Sequence, residues 1–462
     1  MAPARNYAAT SFWLETAGDL TPRPALDGST DADVAILGAG FTGLWTAYYL
    51  LKRLPGIRVA ILEKEIAGFG ASGRNGGWCS SKLNIGFDAL ADRHGVEAAR
   101  ALQRELTATV DEIGSVCAAE GIDAGYAKGG ALFIARGPHQ VSLMEEYAAT
   151  FDRFGFRDQC ELLDAAATER RIRVSGSAGA IFLPHYASVH PGRLARGLAR
   201  AVERLGATLY ERTEVIAYRA GRPARLRTPR GDVRCATLVL AGEAYLTRLR
   251  PLHRALLPIY SLIVLTEPLD AGRWETIGWR SRECVASFRL SVDYLTRTED
   301  GRILFGGRGA PYHFGSAIRD EFDRDGPTHD MLRGMARAWF PALEGVRFTH
   351  AWGGPLGMPR DWMPTIAHDR VTGIATARGY TGQGVSAANL AGRTLSDLIS
   401  GQASPLTRLP IVGHRSPSWE PEPLRFMAVR YIQGAYARID ARAERTGRPP
   451  TGRSLAERLG RH

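Results

Sequence analysis

Hydrophobic positions between residues 33 and 62 change period twice. Residues 33–37 form a short run that is apolar after Asp33, 41–54 repeat at helical spacing, Pro55-Gly56 marks a turn, and 58–62 is again apolar after Arg58. That order predicts strand, helix and strand, the βαβ unit that builds a parallel layer. Residues 34–51 run eighteen positions without a charge, close to the length of a membrane span. Gly38, Gly40 and Gly43 interrupt that run at turn spacing, so it reads as buried strand, tight turn and helix. The stretch 68–77 is too rich in glycine for a regular element. Helical patterns follow at 89–120, 140–152 and 193–205, with apolar strands at 208–210 and 233–241. From 251 to 340 the chain turns strand-like, at 259–265, 285–290 and 302–305, with a helical stretch ending near Trp339. Residues 371–400 return to strand, Gly-rich turn and helix, and 423–446 is helical. The pattern predicts an α/β protein in which a Rossmann-like domain, of residues 31–120, 186–250 and 350–400, is interleaved with an α+β domain on a mixed sheet, of residues 121–185 and 251–349. Residues 1–30 form a leader with Trp13 as an anchor, and 401–462 a helical tail.

The chemistry starts at Gly38-Ala39-Gly40-Phe41-Thr42-Gly43, directly after the first strand. The first glycine permits the tight turn, the second lets backbone approach a pyrophosphate, and the third lets helix and strand pack closely. Phosphate would sit at the helix N-terminus, where unpaired N–H groups and the helix dipole favour anions. Glu63 ends the second strand, twenty-five residues beyond Gly38, in position to accept hydrogen bonds from an adenosine ribose; Lys64 follows it. Gly242 closes the 233–241 strand. The plainer alternative is three packing glycines and a surface acid, and the motif alone does not separate NAD from FAD.

Composition narrows the setting. With 462 residues, 45% of them hydrophobic and 23% charged, the chain suits two or three globular domains. Its net charge of +11 is scattered through periodic segments, so no nucleic-acid partner is expected. The five cysteines, Cys79, Cys117, Cys160, Cys235 and Cys284, are far apart, which indicates neither a disulfide framework nor a metal site. The first thirty residues lack the pattern of a secretory signal, so a cytoplasmic protein with no membrane partner is expected. Four residues alone are lysine, Lys52, Lys64, Lys82 and Lys128.

The chain resembles the FAD-dependent D-amino acid oxidase and glycine or sarcosine oxidase superfamily, in particular bacterial proteins of the gamma-glutamylputrescine oxidase type. The likeness rests on DVAILGAGFTGLWTAYYL, GASGRNGG, HPGRLARGLARAVERLGA, DYLTRTEDGRILFGG and MPTIAHDRVTGIATARGYTGQGVSAANLAG, spread over about residues 30–400. It implies that Gly38, Gly40 and Gly43, with Phe41 and Thr42, hold the pyrophosphate of FAD and Glu63 its ribose. It also implies that Ala71, Ser72, Arg74, Asn75, Gly76 and Gly77 run beside the cofactor, that Val215 approaches adenine, and that Gly379, Tyr380, Thr381, Gly382, Gln383 and Gly384 lie at the ribityl and pyrimidine end. The 357–362 segment, where related sarcosine oxidases attach flavin through a cysteine, has none, so noncovalent FAD is expected.

The family reaction removes a hydride from a carbon bearing an amine and leaves an imine that hydrolyses, with oxygen as acceptor. Tyr294, Arg297, His350, Trp352 and Arg360 are the candidate substrate-side residues, followed by Asp361 and Asn389. Tyr294 can shape the pocket or simply pack, Arg297 can bind an acid group or face solvent, and His350 can hold a proton or serve structure. Several oxidases of the wider family use a lysine near the flavin to promote reaction with oxygen, and none follows residue 128 here. A dehydrogenase with another acceptor, a flavin monooxygenase and a non-enzymatic flavin-stabilised protein are the alternatives. The tail is expected to pack on the body of the protein or to help a homo-oligomer form.

Overall fold

The computed structural model describes residues 5–309 and 311–460. Residues 1–4 of the expected leader, 310 of the expected second domain and 461–462 of the expected tail lie outside them. The first sheet runs in the order Thr365–Asp369, Ile374–Arg378, Gly231–Leu240, Thr30–Leu37, Val59–Leu62 and Thr208–Tyr210, with Ala224–Thr228 and Ala217–Arg219 added beside Gly231–Leu240. Its four central pairings are parallel. Parallel strands need both faces covered. One face packs under the helices Phe41–Arg53, Pro191–Arg204 and Gly384–Ser400, through Ile36, Leu44, Ile61, Leu198 and Leu390; the other buries Ala35, Ala60, Leu226, Val233 and Leu238. Register sets the chemistry: Leu37 pairs with both Leu62 and Leu240. The Gly38 turn, Glu63 and Gly242 therefore emerge together at the carboxyl ends of three adjacent strands, the edge where open α/β sheets bind ligands.

The second sheet is mixed, in the order Phe348–Met358, Leu257–Thr266, Ile303–Arg308, Asp293–Arg297, Cys284–Ser287, Ala131–Arg136, Ser177–Leu183 and Glu161–Asp164. Only the pairing of Cys284–Ser287 with Ala131–Arg136 is parallel. Period two divides its side chains. Tyr260, Leu262 and Val264 turn toward the helix Gly326–Trp339 and join its core, whereas Leu257, Ile259 and Ser261 face a cavity. Phe348–Met358 pairs along the whole of Leu257–Thr266, so this strand belongs to the second sheet, although the sequence reading groups 350–400 with the dinucleotide layer. A strand's partner is chosen by long-range pairing that its own pattern does not specify. Trp13 is buried in the short helix Phe12–Glu15 and donates from Nε1 to Asn75 O (2.7 Å).

Candidate active site

A single cavity of about 1490 Å³ runs from the carboxyl edge of the first sheet to the inner face of the second. That exceeds the ~300–1,000 Å³ of a usual ligand pocket and leaves room for a dinucleotide with a small substrate. At one end it is lined by Gly38, Gly40, Phe41, Thr42, Glu63, Lys64, Val215 and Gly242. Gly38 has φ +102°, and a Cβ there would stand 2.9 Å from Ala241 O; only glycine lets these strands approach. Gly43 sits in the first turn of the helix, off the cavity, against Gly38 O. Glu63 accepts from Ala39 N (2.9 Å) and Glu65 N (3.0 Å), and burial pushes its carboxyl up to about 7. A buried acid at this position gains from further donors such as ribose hydroxyls. Lys64 pairs with Glu214 (2.6 Å) at the rim.

The glycine-rich loop supplies the middle. Ser72 Oγ accepts from Phe41 N (2.8 Å), which ties that loop to the first helix N-terminus. Asn75 holds the loop through Ala71 O and Ser72 O, both at 3.1 Å, and takes Gly77 N (2.8 Å). Ala71, Ser72, Arg74, Asn75 and Gly76 line the cavity, whereas Gly77 turns behind it against Val189 O. Gly76 lies against the ring of Tyr294, where a Cβ would come within 2.5 Å of Cε2. Arg74 is buried: Nη1 donates to Asp323 (2.5 Å), Nη2 to Tyr245 OH (2.6 Å) and Nε to Phe69 O (2.9 Å).

Tyr380, Thr381, Gly382, Gln383 and Gly384 line the far side, immediately before the helix Gly384–Ser400. Tyr380 OH and Thr42 Oγ1 are 3.0 Å apart, and Ser80 Oγ donates to Gln383 Oε1 (2.6 Å). Gly379 stands just outside the lining; its N–H donates to Glu243 Oε2 (2.9 Å). Thr381 and Glu243 both hold positive φ, +51° and +47°, a conformation that is costly for such residues and persists where surroundings enforce it. Burial pushes Glu243 up to about 7.

Of the substrate-side candidates, two reach the cavity. Tyr294 lines it, with its OH 2.9 Å from Ser261 Oγ; Arg360 lines it beside Trp419 and is paired with Glu420 (3.0 Å). Arg297 lies elsewhere, stacked on Trp274 at 4.0 Å and donating to Trp279 O, since it falls on the opposite face of its strand from Tyr294. His350 contacts Glu15 (3.0 Å) and Thr349 away from the cavity. Trp352 is buried behind the glycine-rich loop and donates from Nε1 to Arg74 O (3.0 Å). Asp361 is bound to His414 and Ser416, both at 2.7 Å, and Asn389 to Tyr49 (2.9 Å); neither lines the cavity.

Other lining residues escaped the sequence reading. Trp78, Phe133, Tyr147 and Phe288 join the expected Tyr294 in an aromatic recess, and Lys82 enters it with Nζ 5.1 Å from the Phe133 ring centre. Lys82, which precedes residue 128, is a lysine that lines this cavity. Its signal was its place five residues after Gly77. The helix Leu424–Thr446 of the tail also borders the cavity. Cys79 is buried in Trp78–Ser80, its thiol pushed well above the ordinary range, and no cysteine appears among the lining residues. Among the described residues no group of His, Cys, Asp and Glu suits a metal ion, and no helix is long and apolar enough to cross a membrane.

Residues 33–398 match the model of the DAO family, FAD dependent oxidoreductase. The chain belongs to this family. It is 31% identical over 396 residues to gamma-glutamylputrescine oxidoreductase of Escherichia coli K12, covering 85% of this chain and 89% of that one. It is 26% identical over 379 residues to glycine oxidase of Geobacillus kaustophilus, covering 79% and 92%. In fold, the crystal structure of glycine oxidase from Geobacillus kaustophilus matches with a TM-score of 0.67 at 23% identity, over 83% of this chain and 99% of that one. L-Proline dehydrogenase from P. horikoshii matches with a TM-score of 0.65 at 21% identity, over 84% and 96%. The protein is therefore an FAD-dependent oxidoreductase of the amine and amino-acid oxidising group. The glycine turn, the buried acid and two helix N-termini on one cavity fit that cofactor.

Proposed function

We propose that the protein oxidises the C–N bond of a primary or secondary amine or amino acid to an imine, which water then hydrolyses, and that oxygen is the final acceptor. The observation that carries this reading is the continuity of the cavity from Gly38 and Glu63 to the aromatic recess holding Lys82. FAD held there would supply the two-electron redox chemistry, as the acceptor of a hydride. In this reading Gly38, Gly40, Phe41 and Thr42 would hold the pyrophosphate, Glu63 the ribose, and 380–384 the pyrimidine end.

The chain's own residues do the rest. Trp78, Phe133, Tyr147, Phe288 and Tyr294 exclude water and hold the amine by its carbon skeleton. Desolvation in the recess disfavours an ammonium, and Lys82 as a like charge disfavours it further. The faces of Phe133 and Tyr147 already carry the Lys82 cation, at 5.1 and 6.0 Å, so the substrate is held as the neutral amine whose lone pair the reaction needs. Lys82 also places positive charge where reducing equivalents pass to oxygen.

The test is an anaerobic titration of the flavoprotein with primary, N-methylated and carboxyl-bearing amines, followed by readmission of oxygen. Loss of the flavin band near ~450 nm with an amine alone is expected, with rapid return in oxygen. A flavin that is reduced by NAD(P)H and by no amine would overturn the reading in favour of a monooxygenase. Slow return in oxygen, with fast return to an artificial acceptor, would make it a dehydrogenase.

A further inference from the structure

The family match ends at residue 398, yet the later helix Leu424–Thr446 runs along the cavity. Ala428, Ile432 and Tyr436 form one row on it, and Val429, Gln433 and Ala437 the next; all six line the cavity. Residues four apart share a helix face, so one continuous stripe of this helix is turned inward. Val429 packs on Leu257, Ile259 and Met358, side chains of the substrate sheet that border the same cavity.

Two carboxylates fix the helix at its ends. Glu422 accepts from Tyr312 OH (2.7 Å), Gly315 N (3.0 Å) and Phe426 N (2.9 Å). Asp440, buried and one turn beyond Tyr436, accepts from Leu290 N (3.1 Å), Ser291 N (2.9 Å) and Ser291 Oγ (2.6 Å). Arg289 adds an ion pair to Glu444 (2.6 Å). The 288–292 turn lines the cavity throughout and begins with Phe288 of the aromatic recess. A buried carboxylate stripped of its donors is costly, so helix and turn are ordered together.

We propose that the Leu424–Thr446 helix is the outer wall of the substrate cavity, that Asp440 is a positioning residue joining this wall to the 288–292 turn, and that the wall sets how long an amine the site admits. The substrate part of this statement rests on the amine-oxidising reading above; the wall itself does not.

The test uses full-length flavoprotein, wild type and the variants Ile432→Trp, Asp440→Ala and Ser291→Ala. Two quantities are read: the apparent Kd and limiting rate of anaerobic flavin reduction for straight-chain amines of increasing length, and acrylamide quenching of flavin fluorescence. Ile432→Trp should weaken binding of the longest amines about tenfold more than the shortest, with the limiting rate kept, the scale of one misfitted buried group. Asp440→Ala should flatten the dependence on chain length and raise the quenching constant about twofold, because the wall opens locally. Ser291→Ala, which removes one donor, should shift both in the same direction by less. Unchanged length profiles and unchanged quenching at wild-type FAD content would overturn the proposal, as would variants altered in thermal stability alone. If no amine reduces the wild-type flavin, the functional reading fails, and quenching in Asp440→Ala decides the wall. If Asp440→Ala loses FAD, Ser291→Ala and Ile432→Trp decide it by the same readouts.

Discussion

Glu63 and Lys82 are the two side chains whose chemistry depends most on where the fold puts them. Burial raises Glu63 to about 7. Its folded value lies above the ordinary carboxylate range, so the stability it contributes to the apoprotein is complete below that range and is lost as pH rises through about 7. Ribose hydroxyls donating to the carboxylate would offset that loss. The rise in Tm on adding FAD should therefore be larger at about pH 8 than at about pH 6, and Glu63→Gln should abolish the difference. Equal rises in the wild type at both pH values would remove Glu63 from the ribose site. Lys82→Met tests the other end. It nearly keeps the length of the side chain and removes the charge, so anaerobic reduction by an amine should slow about threefold, as an ammonium is less disfavoured, while reoxidation by oxygen slows about 10²-fold, the usual cost of one lost electrostatic contact. Stopped-flow traces of the two half-reactions separate these effects; a slowed reduction with normal reoxidation would leave Lys82 its role toward the amine and remove the one toward oxygen.

Strands and helices around the first layer were legible because their signals are local. The 33–62 pattern appears as Thr30–Leu37, Phe41–Arg53 and Val59–Leu62, and 193–205 as Pro191–Arg204; most of the glycine-rich cofactor loops expected from resemblance border the cavity. The substrate side was legible only in part. Tyr294 and Arg297 are three residues apart on one strand, and period two sends their side chains to opposite faces, a choice no pattern in DYLTR reveals without knowing which face meets the cavity. Glu243 was missed for a related reason. Nothing in its neighbourhood predicts a left-handed glutamate, yet its carboxylate holds Gly379 N–H at 2.9 Å and so joins the end of Gly231–Leu240 to the loop before Gly384–Ser400. Glu243→Ala should leave the sheet intact and free that loop. FAD affinity should fall about tenfold, the scale of one charge-assisted bond, measured by flavin release on dilution. Retention of FAD at the wild-type level would show that the 379–384 loop is held by its helix alone.

Taken whole, the molecule depends on how two sheets of different origin in the chain are kept in one relation across a shared cavity. Arg74 is the strongest joint. Its guanidinium reaches Phe69 O and Tyr245 on the dinucleotide side and Asp323 and Gly353 O on the other, while its own carbonyl accepts from Trp352 of the second sheet. Burial raises Asp323 to about 6 even though the Arg74 charge opposes that rise. Arg74→Met would leave a buried acid without its partner, a change that costs about 3–5 kcal/mol where the acid stays ionised. Asp323 can instead take up a proton, and does so more readily as pH falls. The destabilisation should thus be largest above about pH 7 and shrink through about pH 6 and below, where Asp323 is neutral in both proteins. Thermal unfolding of wild type and Arg74→Met across that range checks it, and Arg74→Met combined with Asp323→Leu should recover much of the loss, since apolar pairs of similar shape often replace buried ion pairs without penalty. Because the same guanidinium contacts both sides of the cavity, the single variant should also lose FAD as it loses stability. A variant that unfolds early yet binds FAD normally would mean that the glycine-rich loop keeps its shape without the second sheet, and that the two sheets meet at the cavity without depending on each other.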